Sequence, residues 1–231
     1  VDLFICISKE LKNSIAKSFR LPDDKVVFIP NFIEMNSQLP EDKKEKREGL
    51  LFVGRISREK GLEVVIQAVA NLIKEGTKNI KLKVVGDGPE KEKMENLVRK
   101  LKIAKNIIFL GRIDEEEKLN AIYRSSQAVI FPSMWQEAFG RVIIEAMRQK
   151  TPVISSNIGG ASGFIKHKKN GLIFERGNAS DLAKNIKYIL KDEEAARKMG
   201  EEGFKTAKLL FNEEAHYKKL INCYKKALAL K

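Results

Sequence analysis

From Leu50 onward, short apolar segments alternate with segments whose apolar residues follow helical spacing, and this alternation narrows the folds open to the chain. Apolar positions from Leu62 to Ile73, for example, recur as they do on one face of a helix. The predicted strands are Leu50–Val53, Leu82–Val85, Ile107–Leu110, Ala128–Phe131, Val153–Ser155 and Leu172–Phe174. Strands joined by helices in this way form a doubly wound parallel sheet, which binds ligands at the carboxyl ends of its strands. The predicted fold class is therefore α/β.

Size and composition are those of a globular protein. The chain has 231 residues, of which 43% are hydrophobic and 32% charged, enough to build one substantial domain. No apolar run approaches the roughly 20 residues of a membrane-spanning helix, and no signal peptide is evident. Cys6 and Cys223 lack metal-ligand spacing, which favours core packing in a reducing cytoplasm.

The net charge of +13 is compatible with binding to nucleic acid or to phosphorylated substrates. It is also compatible with peripheral contact with the inner face of an anionic membrane. Lysines are interleaved with glutamates, as from Glu41 to Glu48, rather than gathered into a basic stretch. The sequence also contains no zinc motif and no aromatic RNA-binding signature. Nucleic acid is therefore not a predicted partner, although a nucleic-acid-binding domain stays open as an alternative that rests on charge alone.

Two glutamates separated by seven residues, Glu137 and Glu145, follow the predicted strand Ala128–Phe131. Between them the chain passes through Phe139 and Gly140 into an apolar helix. A helix that starts there aims unpaired backbone N–H groups and its positive dipole end beyond the strand, and this forms an anion site. The two carboxylates can flank the anion and accept hydrogen bonds from hydroxyl groups. A ligand that combines a phosphate with a polyol is a nucleotide sugar. The alternative is an ordinary strand–loop–helix segment in which both glutamates are simply solvated and bind nothing.

The segment from Glu137 to Met147 resembles a known signature. It is similar to the E-x7-E motif of the retaining GT-B glycosyltransferases of family four, which has Phe-Gly and Glu-Ala-Met at the same offsets. The resemblance implies the Rossmann-like, nucleotide-sugar-binding half of a GT-B fold. It also implies sugar transfer, with retention, from a donor that is most commonly UDP- or GDP-linked, and no cofactor besides this substrate.

The loop from Gly54 to Gly61 resembles the diphosphate-binding loop of the same family, G-R-[LIV]-x-x-x-K-G. A pyrophosphate leaving group gains negative charge as the glycosidic bond breaks. The guanidinium of Arg55 and the ammonium of Lys60 would stabilise that charge. Gly54 lets the backbone approach the ligand without an intervening side chain.

The resemblance assigns a role to each candidate residue. Arg55, Lys60 and Glu137 form the predicted catalytic set, in which Glu137 meets sugar hydroxyls near the reacting carbon. Glu145 takes the ribose hydroxyls, and the backbone from Phe139 to Val142 meets phosphate or sugar. The strand-end element Leu110–Ile113 resembles the part of the family whose backbone meets the nucleobase, and a plain turn before a helix is the alternative. The predicted donor-binding residues are Gly54, Arg112, Ile113, Phe139, Gly140, Arg141, Val142 and Glu145.

No metal site is expected. His167 and His216 are far apart in sequence, and the D-x-D motif of metal-dependent glycosyltransferases is absent. Positive charge from Arg55, Lys60 and a helix N-terminus would replace the metal. Trp135 is expected to be a wall or core residue.

Two glycines, Gly86 and Gly88, follow the second predicted strand of the domain. Lys91 occupies the third glycine position of a dinucleotide fingerprint, so that interpretation fails. The segment instead matches a turn of the family and is assigned no chemistry.

The resemblance also predicts the domain organisation. Residues 1–40 resemble the end of an N-terminal GT-B domain and the interdomain crossing, and residues 41–49 read as a charged linker. Residues 50–207 form the predicted nucleotide-sugar-binding domain, and residues 208–231 an amphipathic helix that in the family crosses back. We therefore expect a truncated chain whose missing N-terminal GT-B domain is a partner, and which transfers sugar poorly by itself.

Two positions depart from the family pattern. Lys150 stands where the family often has glycine, and Gly163 stands where it often has an acid near the donor sugar. The second departure leaves the donor sugar open. It also favours an alternative in which the chain is a non-catalytic nucleotide-sugar-binding or interaction module of the same fold.

Overall fold

The computed structural model describes residues 3–34, 46–137, 139–159 and 163–229, and these contain the predicted alternation. The strands are β1 (Phe4–Cys6), β2 (Val26–Phe28), β3 (Leu50–Val53), β4 (Leu82–Val85), β5 (Ile107–Gly111), β6 (Ala128–Phe131), β7 (Val153–Ser156) and β8 (Leu172–Phe174). The helices are α1 (Lys9–Ser18), α2 (Leu62–Lys74), α3 (Lys91–Lys100), α4 (Glu116–Arg124), α5 (Arg141–Arg148), α6 (Ala179–Lys191), α7 (Glu193–Leu210) and α8 (Glu213–Leu228).

The main sheet has six strands in the order β5-β4-β3-β6-β7-β8, and all of its paired strands are parallel. The strand order reverses direction between β3 and β6, which is the point where doubly wound sheets bind ligands. The prediction of an α/β, Rossmann-like, doubly wound parallel sheet is confirmed. The loops after β3 and β6 are the two that carry the predicted catalytic residues.

Helices cover both faces of this sheet. Because successive residues of a strand point to opposite faces, neighbouring residues of one strand lie in different cores. Leu50 and Phe52 of β3 belong to the core that packs against α2, α3 and α6. Leu51, between them, belongs to the core on the other face, which includes α5 and Phe211. Central strands that are buried on both sides must be apolar throughout, and this explains the uninterrupted apolar runs of β3 and β6.

The departure at Lys150 has a conformational consequence. Lys150 follows α5 with φ +52°, a left-handed conformation that glycine adopts most easily. Its backbone oxygen lies against α7, where a Cβ added to Gly200 would come within 2.0 Å of it. A glycine is therefore required on the helix side of this contact, while Lys150 accepts the strained conformation on the other.

Residues 3–34 form a separate layer beside the main domain. β1 and β2 pair in parallel as a two-stranded sheet, with α1 between them in the chain. Helix α8 packs here: the ring of Phe32 contacts those of His216 and Tyr217, and Nδ1 of His216 lies 2.8 Å from the carbonyl oxygen of Pro30. The buried guanidinium of Arg148 donates to the carbonyl oxygen of Glu34 at 3.1 Å, which ties the end of this layer to α5.

The predicted domain limits compare with the observed elements as follows. Most of the predicted linker, residues 41–49, lies outside the described residues. The predicted boundary at residue 208 falls inside α7, which continues to Leu210. The last helix then begins at Glu213, with the side chain of Asn212 accepting a hydrogen bond from the backbone N–H of Ala215.

Substitutions at two glycines of α7 test the contact with Lys150. Gly200→Ala should lower the free energy of unfolding by about 2–3 kcal/mol, because the new methyl group overlaps a backbone oxygen. Gly203→Ala is the matched control, since its Cβ would come nearest to the flexible Met147 side chain at 3.2 Å and would lie at an ordinary contact distance of 3.5 Å from the carbonyl oxygen of Asn170. The control should change stability by less than about 1 kcal/mol. Urea denaturation measures both, and equal losses would contradict a tight contact at Gly200.

Candidate functional site

Three loops interlock at the carboxyl edge of the sheet. The backbone N–H of Gly54 donates to the carbonyl oxygen of Val85 at 3.0 Å, and that of Gly86 donates to Gly111 at 2.8 Å. A Cβ on Gly86 would lie 1.9 Å from the backbone oxygen of Gly54, so the loops after β3 and β4 meet only because no side chain intervenes. The glycines that were assigned no chemistry thus shape the edge on which Gly54 lies.

The loops after β3 and β6 also dock against each other. The backbone N–H of Met134 donates to the carbonyl oxygen of Glu59 at 2.7 Å. Gly61 has φ +70°, and a Cβ there would lie 2.1 Å from the carbonyl oxygen of Pro132. This close approach brings Lys60 to the β6 loop.

Lys60 and Glu137, two of the predicted catalytic residues, form a direct ion pair between Nζ and Oε1. Their side chains are 30% and 21% exposed, so the pair lies at the surface of the edge and is open to a ligand. Residues from two separate motifs therefore form one charged cluster at the switch point of the sheet. Arg55, the third member of the predicted set, is exposed on the same β3 loop.

Ser133 is a residue of this cluster that the sequence did not single out. Its hydroxyl lies 3.1 Å from Oε1 of Glu137, and its own carbonyl oxygen accepts a hydrogen bond from the hydroxyl of Ser156 at 2.8 Å. Ser133 is buried, so it supports the Glu137 carboxylate from beneath. A hydroxyl residue just past a strand end was the available signal, but such residues are common in loops.

Glu145 is held from below as well. Its Oε2 accepts a hydrogen bond from the hydroxyl of Tyr123 at 2.9 Å, and its Oε1 lies 3.4 Å from Nη2 of Arg141. The Glu145 side chain is 18% exposed and that of Arg141 78% exposed. Tyr123 is fully buried, and the sequence did not identify it because nothing in α4 indicates contact with α5.

The N-terminus of α5 lies between the two glutamates. Gly140 is the N-cap residue, with φ +75°, and the helix begins at Arg141. The backbone N–H groups of the first turn, including those of Arg141 and Val142, have no acceptor within the helix. The Phe139 ring is buried edge-on against Phe211, with centroids 5.5 Å apart. The side chain of Phe139 is thus part of the core, which leaves its backbone for a ligand.

Arg112 and Ile113, the predicted nucleobase residues, border a hollow of about 270 Å³ beside the end of β5. Its lining residues are Leu110, Arg112, Ile113, Asp114, Glu115, Lys118 and Ile122. Nε of Arg112 donates to Asp114 at 2.6 Å, and both side chains are exposed. A larger hollow, of about 550 Å³, lies between α2 and the start of α6, but none of the predicted site residues lines it.

The expectation that Trp135 could be a core residue is wrong. The residue is 71% exposed on the loop between Ser133 and Glu137, and its place as a wall of the site stays a prediction. Neighbouring residues of this loop are held by hydrogen bonds to Glu59 and Ser156, whereas the indole lies outside the packed core.

Within the ranges that the structure describes, no group of three or more His, Cys, Asp or Glu side chains is placed to hold a metal ion. Both histidines have structural contacts: Nδ1 of His167 accepts from the backbone N–H of Ile173 at 3.0 Å, and His216 lies against Pro30. In the same ranges, no helix has the length and apolar character to cross a membrane.

Residues 36–206 match the family described as Glycosyl transferases group 1. An uncharacterized glycosyltransferase of Methanocaldococcus jannaschii is 32% identical over 201 residues, which cover 81% of this chain and 50% of that protein. The N-acetyl-alpha-D-glucosaminyl L-malate synthase of Bacillus anthracis is 31% identical over 202 residues, covering 84% of this chain and 51% of that protein. The chain therefore belongs to the glycosyl transferases group 1 family, and it spans about half the length of these curated relatives.

Solved structures agree on the fold. The Anabaena protein HepE, in complex with UDP and glucose, superposes with a TM-score of 0.84 at 22% identity, covering 97% of this chain and 63% of that one. The sucrose-phosphate synthase of Thermosynechococcus elongatus superposes with a TM-score of 0.81 at 27% identity, covering 100% of this chain and 59% of that one. The predicted recognition is confirmed: the chain is a C-terminal GT-B-type domain.

Proposed function

We propose that this chain is the donor-binding half of a retaining glycosyltransferase that transfers a sugar from a nucleoside diphosphate to an acceptor. The observation that carries the proposal is the contact between Lys60 and Glu137 at the switch point of the sheet. It unites a loop suited to a diphosphate with a loop–helix segment suited to sugar and ribose hydroxyls.

Each group of the cluster has a chemical task in this proposal. Lys60 and the exposed Arg55 neutralise the diphosphate and stabilise the charge that grows on it as the glycosidic bond breaks. Glu137 accepts hydrogen bonds from the sugar, and Glu145 from the ribose. In the free chain Lys60 and Glu137 compensate each other's charge. When the donor binds, the diphosphate becomes the partner of the Lys60 ammonium, and sugar hydroxyls donate hydrogen bonds to the Glu137 carboxylate.

The family analogy supplies the course of the reaction. The acceptor hydroxyl attacks from the face that the leaving group departs, and the leaving phosphate takes the proton. No carboxylate of the protein is then needed as a nucleophile, which agrees with a role for Glu137 in binding. The backbone N–H groups from Phe139 to Val142 add positive potential at the phosphate or sugar.

A uridine nucleotide is the first donor to test. The fold neighbour HepE was solved with UDP and with UDP-glucose, which supports this class. The hollow lined by Arg112 and Ile113 is the proposed base site, and a guanosine nucleotide is the second candidate.

We further propose that an N-terminal GT-B domain completes the active site and brings the acceptor. The two-stranded sheet of β1 and β2 leaves Ile5 43% exposed, and two strands alone are marginal as a sheet. One side of α8 presents an apolar stripe to solvent, formed by Ile221, Tyr224 and Leu228. Both features support a partner domain packed against this layer.

The effect of each substitution on nucleotide affinity should depend on which part of the ligand the residue contacts. Arg55→Ala and Lys60→Ala should each weaken a nucleoside diphosphate by about 1.5–3 kcal/mol, the range for hydrogen bonds to charged groups, and leave the bare nucleoside nearly unaffected. Glu145→Ala should weaken both ligands about equally, because ribose is common to them. Isothermal titration with UDP, GDP, ADP and their nucleosides measures these effects.

Arg58→Ala is the matched control for this series, since Arg58 is an exposed arginine of the same loop outside the predicted set. It should change affinity for the diphosphate by less than about threefold, or roughly 0.7 kcal/mol. A loss as large as that of Arg55→Ala would mean that only the general charge of the loop matters. Binding of short DNA with steep salt dependence, and of no nucleotide, would instead favour the nucleic-acid alternative.

Nucleotide binding should be independent of divalent metal, since Arg55, Lys60 and the α5 N-terminus supply the positive charge in the proposal. Adding a chelator should leave the dissociation constant for the preferred nucleoside diphosphate unchanged within about twofold. A weakening beyond about tenfold, or roughly 1.4 kcal/mol, would overturn the metal-free proposal.

Sugar transfer by these 231 residues should be slower by orders of magnitude than transfer after an N-terminal GT-B domain is fused or added. Positioning of the acceptor across the closed cleft can contribute about 7–11 kcal/mol to the rate. Turnover from a panel of nucleotide sugars, measured with and without the added domain, tests this. Nucleotide binding without turnover in either form would favour the non-catalytic module that Gly163 raised, and rapid turnover by the chain alone would reveal an acceptor site within it.

A further inference from the structure

Tyr123 is a buried polar residue outside the family motifs, and its hydroxyl is directed at one of them. The side chain lies in the core between α4 and the main sheet, with no exposed surface. Its hydroxyl donates to Oε2 of Glu145 at 2.9 Å. The carbonyl oxygen of Tyr123 accepts from the hydroxyl of Thr151 at 2.8 Å, which holds the end of α4 against the chain that leads into β7. Hydrogen bonds therefore hold both the hydroxyl and the backbone of Tyr123.

The two oxygens of the Glu145 carboxylate have different surroundings. Oε2 faces inward to the Tyr123 hydroxyl, whereas Oε1 lies 3.4 Å from the exposed guanidinium of Arg141 at the start of α5. Fixing Oε2 sets the rotation of the carboxylate about its last bond. Oε1 is then the oxygen that a ligand at the helix N-terminus can reach.

The Tyr123 hydroxyl is a permanent donor. Burial raises the pKa of Tyr123 well above its ordinary value, and the negative charge of Glu145 raises it further. The phenol therefore stays protonated at neutral pH, and its hydrogen bond to the carboxylate does not switch with pH in that range.

We propose that Tyr123 is a positioning residue that holds Glu145 for the ribose hydroxyls, and that it thereby makes the site selective for ribonucleoside over deoxyribonucleoside diphosphates. This inference rests on the proposed function, in which Glu145 binds ribose. Without the Tyr123 hydroxyl the Glu145 carboxylate is free to rotate, and its hydrogen bond with a ribose hydroxyl is weakened. A diphosphate bound through Arg55 and Lys60 would lose much less.

The test compares UDP with 2′-deoxy-UDP and 3′-deoxy-UDP in titrations of the unmodified chain and of Tyr123→Phe. The unmodified chain should prefer UDP over at least one deoxy analogue by about tenfold, the effect of one hydrogen bond to a charged group. In Tyr123→Phe, which keeps the ring that fills the core, the preference should narrow to within about threefold. Tyr188→Phe, at a tyrosine on α6 that is 39% exposed, is the matched control and should retain it.

The ratio of the two affinities separates positioning from structural damage, because partial unfolding weakens both ligands by the same factor. A tenfold preference that survives in Tyr123→Phe would overturn the inference, and so would an equal loss for UDP and its deoxy analogues. Glu145→Ala distinguishes failure of the proposed function. If Glu145→Ala retains the preference for UDP over its deoxy analogues, Glu145 does not bind ribose and the proposed function fails. If Glu145→Ala abolishes that preference while Tyr123→Phe keeps it, only the positioning role of Tyr123 fails.

Discussion

The docking of the β3 loop against the β6 loop is the constraint on which the rest of the site depends. The hydrogen bond from Met134 to Glu59 and the absence of a side chain at Gly61 bring the two backbones together. Lys60 and Glu137 then meet as a partly buried ion pair. Partly buried charges are tolerated when each has a partner of opposite sign. The free chain therefore keeps a positive and a negative group together at the place where a nucleotide sugar would need both.

Behind each of the two motif carboxylates lies a buried hydroxyl. Ser133 supports Glu137 and Tyr123 supports Glu145, and both hydroxyl residues are almost completely inaccessible to solvent. Groups that are held by packed neighbours present a ligand with a geometry that needs little reorganisation, and such preorganisation is a main source of both affinity and rate. The two motif carboxylates are thus supported by buried residues of the loop after β6 and of α4.

The departures from the family pattern have different physical weight. Lys150 adopts the left-handed conformation that explains the family's glycine, and its chain runs directly against Gly200 of α7. That departure concerns stability and lies away from the charged cluster. Gly163, in contrast, is exposed, and it stands where the family pattern often has an acid near the donor sugar, so that departure bears on the proposed donor rather than on stability.

The sequence by itself determined the fold class and brought the two motif-bearing loops to the same edge of the sheet. Periodicity is a local property, and residues just past parallel strands converge on one edge, so Lys60 and Glu137 were predictable as neighbours. The buried partners, Ser133 and Tyr123, were decided only by the tertiary structure. Their contacts join segments whose relative placement depends on how the helices pack, and no local pattern encodes that. The exposure of Trp135 is also visible only in the tertiary structure, because an apolar side chain considered by itself favours burial.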